Sequence, residues 1–120
     1  MPLQLAWSEM LPCDAHCVAR RVQRRGGVYK LMSRRSSGKF EPFYVGEAAD
    51  LHEDMLNHLK SGESNKCIRD TLRTRDCRFR FAYVESEQQR KGAERFLFDY
   101  YKGLCNETQP EAEPVEINVA

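Results

Sequence analysis

Gly27-Val28-Tyr29-Lys30-Leu31-Met32, a polar stretch from Ser33 to Glu41, and then Pro42-Phe43-Tyr44-Val45-Gly46 decide how this chain folds. Two runs of β-branched and aromatic residues flank a Ser37-Gly38 turn signal, which predicts a β-hairpin. Pro42 marks the beginning of the second strand or a sheet edge, because proline cannot donate to a ladder. A turn centred on residues 36–37 or on 37–38 places Tyr29 opposite or diagonal to Tyr44 on one sheet face. A one-residue slip would put the two rings on opposite faces.

Working outward, Asp14 is expected to cap a short helix over residues 15–24 that ends at Gly26-Gly27. Before it, Trp7 and Leu11 are expected to pack as a lid. Asp50-x-x-Glu53 has the form of a capping box, and Leu51, Met55, His58 and Leu59 follow helical spacing up to a stop at Ser61-Gly62. Cys67, Ile68 and Leu72 suggest a second helix over 65–74. Arg78 to Val84 alternates with period two, so Phe79, Phe81 and Tyr83 share one strand face. Ser86-x-x-Gln89 opens a long helix with Ala93, Phe96, Leu97, Tyr100, Tyr101 and Leu104 as its buried stripe. The expected class is α+β, a small three-stranded antiparallel sheet flanked by helices. Its parts are an N-terminal extension, partly helical (1–25), the domain proper (26–106) and a disordered acidic tail (107–120).

The chain has 120 residues, 31% of them charged, and a net charge of +1. That length fits one domain, and the balance argues against a strongly basic packaging protein. The neutrality is a sum of unlike parts. Residues 1–46 carry +5, residues 47–64 carry −4, residues 65–83 carry +4 and residues 107–120 carry −4. Apolar runs are short, so no membrane span is expected, and the first residues lack the pattern of a signal peptide. Five scattered cysteines without an export signal are expected to be reduced thiols in a cytoplasmic protein.

The chemistry-bearing residues fall in a fixed order: Tyr29, Tyr44, His58, Glu94 and Asn106. Gly27-Val28-Tyr29 followed by Tyr44-Val45-Gly46 resembles the paired triplets of the GIY-YIG nuclease superfamily, with Val for Ile in both. The resemblance covers residues 27–106. It implies hydrolysis of a phosphodiester by in-line attack of water, with one divalent ion, Mg²⁺ or Mn²⁺, and no organic cofactor. It implies Tyr29 as candidate base, Tyr44 as the group that orients water or phosphate, His58 as the group that assists proton transfer or holds phosphate, Asn106 as the residue closing the domain, and Glu94 as the metal ligand. A carboxylate is the hard oxygen donor that Mg²⁺ prefers. The implied partner is DNA or another nucleic acid. Arg34, Arg35, Arg78 and Arg80 are the basic residues expected to meet its phosphates. So small a core would need a homodimer or a targeting partner to find its substrate.

The sequence departs from the family where active members carry an Arg: that position is Asp54, and Glu47 stands where some carry a Lys. An oxyanion-stabilising donor is worth roughly 10²–10³ in rate, so a degenerate nuclease that keeps the fold and binds nucleic acid is the first expectation. Relocation of the Arg to Arg34, Arg35, Arg90 or Arg95 is a second. An altered cation site built from Glu47, Asp54 and Glu94 is a third. Outside the family, a nucleic-acid or protein binding module without catalysis is the alternative. Zinc at Cys13-x-x-His16-Cys17 is disfavoured, because the spacing matches no structural zinc pattern.

Overall fold

The computed structural model describes residues 2–60 and 62–119, so Ser61 of the expected Ser61-Gly62 stop lies outside the described residues. Along the chain run β1 (Leu11–Pro12), α1 (Ala15–Arg21), β2 (Gly27–Arg34), β3 (Phe40–Ala48), α2 (Leu51–Leu59), α3 (Lys66–Thr74), β4 (Cys77–Tyr83) and α4 (Glu87–Tyr100). The class is α+β, and the strands form one antiparallel sheet in the order β1-β4-β2-β3. The sheet thus has four strands where three were expected. The addition is β1, a two-residue strand pairing Leu11 with Phe79 and Pro12 with Arg78, too short to leave a period in the sequence.

β2 is the central strand, bonded to β3 on one side and β4 on the other, and it is buried from Gly27 to Ser33. Its alternation feeds two cores. Tyr29 and Leu31 join Phe43, Phe79, Phe81, Leu51, Met55, Val18 and Ile68 under α1, α2 and α3. Val28 joins Val45, Ala82, Ala93 and Leu97 under α4. The hairpin register holds Tyr29 opposite Gly46 and Leu31 opposite Tyr44, then shifts, so that Met32 faces Pro42 and Phe43 is the extra residue of a bulge. Tyr29 and Tyr44 are therefore diagonal neighbours on one face, one of the two arrangements the turn allowed.

The caps formed as the sequence suggested. Asp14 accepts from Cys17 N, Asp50 from Glu53 N and Ser86 from Gln89 N, while Asn65 caps α3 through Ile68 N. The first helix is shorter than expected, ending at Arg21. Trp7 and Leu11 do not form one lid. Leu11 enters the core beneath α1–α3, and Trp7 packs on the opposite side with α4.

Two expectations are corrected. The acidic tail is not loose. Val115 N donates to Gly92 O at 2.9 Å, Leu3 and Ile117 form a parallel bridge, and the Asn118 side chain bonds both backbone groups of Leu5. Ile117 is buried with Leu5 in the α4-side core. Gly92 makes this docking possible, since a Cβ there would lie 2.3 Å from Val115 Cγ2. The cysteines are not all reduced either: Cys67 at the start of α3 is joined to Cys105, with a Cα–Cα distance of 5.5 Å. Cys13, Cys17 and Cys77 are free, and burial raises all three thiols above their usual pKa, Cys77 to about 11. No helix among the described residues is long and apolar enough to cross a membrane.

A bridge closing 38 residues should contribute about 2–4 kcal/mol by restricting the unfolded chain. Alkylation in denaturant without reductant should label three cysteines, and labelling should rise to five after reduction, read by mass spectrometry. Cys105→Ser should lower stability by about that amount and abolish the effect of reductant on the unfolding midpoint.

Candidate functional site

The site begins with a glycine. Gly46 faces Tyr29 across the hairpin, and a Cβ on it would lie 2.5 Å from both Cζ and Oη of Tyr29. The bare Cα lets the Tyr29 ring lie across β3 toward α2, where its hydroxyl meets two side chains of that helix. Tyr29 Oη donates to Asp54 Oδ2 at 2.7 Å and lies 2.7 Å from His58 Nε2. Asp54 and His58 are one helical turn apart, which is why one ring can reach both. His58 Nδ1 lies 2.6 Å from Glu63 Oε2, and the other oxygen of Glu63 accepts from Asn65 N. The phenol has one hydrogen, and a carboxylate only accepts. All three contacts are hydrogen bonds when Tyr29 donates to Asp54 and both ring nitrogens of His58 carry hydrogen.

Tyr44 completes an aromatic triangle, its centroid 6.0 Å from Tyr29 and 5.0 Å from His58. On its other side is a cavity of about 200 Å³ lined by Tyr44, Asn65, Glu94, Asn106, Glu107, Thr108 and Pro110. β3 is an edge strand, so Glu94 of α4 and Tyr44 of the sheet can line one cavity although α4 packs mainly on the other core. Asn106 holds that edge closed: its Oδ1 accepts from Val45 N and its Nδ2 donates to Val45 O, as a neighbouring strand would. Cys105 N also donates to Phe43 O, and Asn65 Nδ2 to Cys105 O, so the disulfide stands beside the segment that carries Asn106.

The electrostatics are those of a buried, acid-rich pocket. Burial pushes the Tyr29 phenol well above its usual pKa, aided by Tyr44 and Asp54; burial, Asp54 and Glu94 push Tyr44 up to about 12. Both tyrosines are thus held protonated at neutral pH, the reverse of what a phenolate base needs. Burial, then the charges of Glu47 and Asp54, push the Glu94 carboxyl up to about 7. Glu47 is neutralised by Arg90, whose buried guanidinium also donates to the carbonyls of Val84 and Glu85.

The structure brings Tyr29, Tyr44, His58, Glu94 and Asn106 around one pocket, and it does not bring the four expected phosphate-binding arginines there. Arg78 and Arg80 lie on the face of β4 opposite Phe79 and Phe81, across from Met32 and Lys30. Arg34 and Arg78 both pair with Asp76 and stack on Phe40, and Arg35 pairs with Glu41. Among the other candidates for a displaced arginine, Arg90 serves Glu47, and Arg95 serves Asp99 and the tail carbonyls of Pro110 and Ala112. Among the described residues no group of three or more His, Cys, Asp or Glu is placed to hold a metal ion. Sequence reasoning missed Glu63, which sits in a loop without periodicity, and missed the bond from Tyr29 to Asp54, for which the helical spacing of Asp54 and His58 was the available signal.

Comparison of the chain with protein-family models, with curated proteins and with solved structures finds no match in any of the three.

Two outcomes follow from this geometry. Gly46→Ala should displace the Tyr29 ring and cost about 2 kcal/mol in a chemical unfolding experiment, as other overpacking changes do. Glu94 holds its proton in the folded state up to about pH 7 and loses it near 4.5 in the unfolded chain, so its contribution to stability falls as pH rises between those values. Without divalent ions, Glu94→Gln should match the parent protein near pH 4.5 and exceed it above pH 7 by up to about 3 kcal/mol in urea titrations.

Proposed function

We propose that the chain is a GIY-YIG-like domain that keeps the architecture of a phosphodiester-cleaving unit as a nucleic-acid-binding module and has lost rapid cleavage. The observation that carries this reading is the bond from Tyr29 to Asp54. Where the resemblance implies a guanidinium for the phosphate, this chain has a carboxylate, and it has engaged the tyrosine that the resemblance makes the base. An anionic phosphate near Tyr29 would face Asp54 and Glu63 with only His58 between them, and no arginine lines the Glu94 cavity. The phenols are raised rather than lowered, so neither is prepared to take a proton from water.

Glu94 still fits the divalent ion that the resemblance implies. It is a half-buried carboxylate on a small polar cavity, held by the Glu47 backbone and opposed in charge by Lys91, and one carboxylate with waters is a usual Mg²⁺ environment. Glu94 would hold Mg²⁺ or Mn²⁺, with Asn106 and Thr108 beside it. A bound ion would supply charge stabilisation for a phosphoryl oxygen. What this chain does not supply at position 54 is the guanidinium that the resemblance implies for the phosphate.

The purified protein should retain labelled oligonucleotides at low salt and show no Mg²⁺- or Mn²⁺-dependent cleavage of single-stranded, duplex or branched DNA. Cleavage that disappears in Glu94→Ala and Tyr29→Phe would overturn the loss of catalysis. Failure to retain any nucleic acid would overturn the binding module.

A further inference from the structure

We infer that the groove between the start of α1, the end of α2, α3 and the start of β4 is the track for a nucleic-acid phosphodiester backbone, gripped by Lys60, Arg69, Arg73 and Arg75 and passing His58. This rests on the binding function proposed above and assigns it a surface that Arg78 also lines, but that is otherwise built from cations not among those expected from sequence.

The groove is a cavity of about 700 Å³ with His58 and Glu63 in its wall. It therefore opens on the outer end of the Asp54–Tyr29–His58–Glu63 chain, whereas Glu94 and Asn106 stand at the far side of Tyr44. Its cations belong to the basic segment 65–83 and to the end of α2, which the near-zero net charge of the whole chain conceals.

What selects this surface is the state of its charges. The basic pairs most visible in the sequence are largely neutralised within the fold: Arg21 by Glu9, Arg24 by Asp50, Arg25 by Glu85, Arg34 by Asp76 and Arg35 by Glu41. In the groove, Lys60 and Arg73 are exposed and make no side-chain hydrogen bond or ion pair among the described residues; the Asp70 carboxylate is felt by Arg69 and Arg73, but its close partner is Lys66, at 2.8 Å. Arg69 bonds the Glu63 carbonyl, and Arg75 reaches only the Arg34 carbonyl, at 3.5 Å, so neither charge is neutralised by those bonds. The acids that share the lining are already engaged: Glu63 by His58 and Asn65, Asp76 by Arg34 and Arg78, and Asp14 as the cap of α1.

The lining also states what kind of ligand fits. It contains no Phe, Tyr or Trp on which a base could stack. Binding through phosphates alone is indifferent to base sequence and steep in salt.

The test is fluorescence anisotropy of labelled single-stranded and duplex oligonucleotides over a salt series. Four phosphate contacts predict a slope of log affinity against log salt of about −3 for single strands and about −4 for duplex. Lys60→Ala/Arg73→Ala should make the slope shallower by about 1.4 or 1.8, respectively. Arg21→Ala/Arg24→Ala, outside the groove lining, should leave it unchanged. Both pairs are exposed, and matching thermal midpoints would confirm that the variants fold. If the control pair changes the slope and the groove pair does not, the groove assignment fails while the binding module stands. If poly-glutamate displaces the oligonucleotide at equal charge concentration, the ligand is an acidic polymer in general and the nucleic-acid track is overturned. If no oligonucleotide binds, both readings fall together.

Discussion

Two adjacent polar side chains, Tyr29 and Lys30, sit in the middle of a strand that is paired on both edges and covered on both faces, and each must find a partner inside the protein. A buried polar group without one costs several kcal/mol in an apolar medium. Because successive residues of a strand point to opposite faces, the two demands are answered by different parts of the chain. Tyr29 reaches Asp54 and His58, and so fixes how α2 lies against the hairpin. Lys30 reaches Tyr101 Oη and Val119 O, with its ammonium 4.4 Å from the centre of the Trp7 ring. Burial, then the Arg80 charge, pull its pKa to about 8. The C-terminal segment and the N-terminal arm are thereby held to the back of the sheet by the residue next to the one that organises the site.

The same requirement explains why Asp54 is compatible with the fold beside a buried phenol. A basic residue at that position beside a buried tyrosine would need an anion as its partner. A carboxylate needs a donor, and the Tyr29 hydroxyl is one that is always present. The pocket is thus self-satisfied: Asp54 takes the phenol hydrogen, His58 Nε2 lies against the phenol oxygen, and Glu63 completes the chain at Nδ1. A site in this condition has little electrostatic reason to admit another anion. Glu94 differs, since its carboxyl lines a cavity and its burial and the Glu47 charge outweigh the opposing charge of Lys91.

Legibility in the sequence followed the range of the interaction concerned. The hairpin, the period-two run of β4 and the caps of α1, α2 and α4 are local, and each was visible as a turn signal, an alternation or a spacing of three. The diagonal relation of Tyr29 and Tyr44 could be narrowed to two registers from the turn, and the bulge at Phe43, which leaves no local mark, selects between the pairing patterns. The Cys67–Cys105 bridge joins residues 38 apart, and composition cannot rank it against other pairings. The tail misled because four glutamates and two prolines between Glu107 and Glu116 suggest solvation. Val115, Ile117 and Val119 alternate there with polar residues, and that short pattern is what packs with α4 and Leu5.

Charge teaches the complementary point. A count of Lys and Arg along the chain ranks the stretches at 20–25 and 34–35 as the most basic, yet ion pairing inside the fold largely neutralises them. A surface attracts phosphate through charge that remains uncompensated after folding, and pairing is decided by residues distant in sequence: Glu9 for Arg21, Glu85 for Arg25, Asp76 for Arg34. The acids that appeared to cancel the basic character of the chain instead redistribute it. They pair off much of the charge of the hairpin and the α1 region and leave the α3 groove as a surface whose positive charge still faces outward, lined also by the imidazole that belongs to the tyrosine pocket.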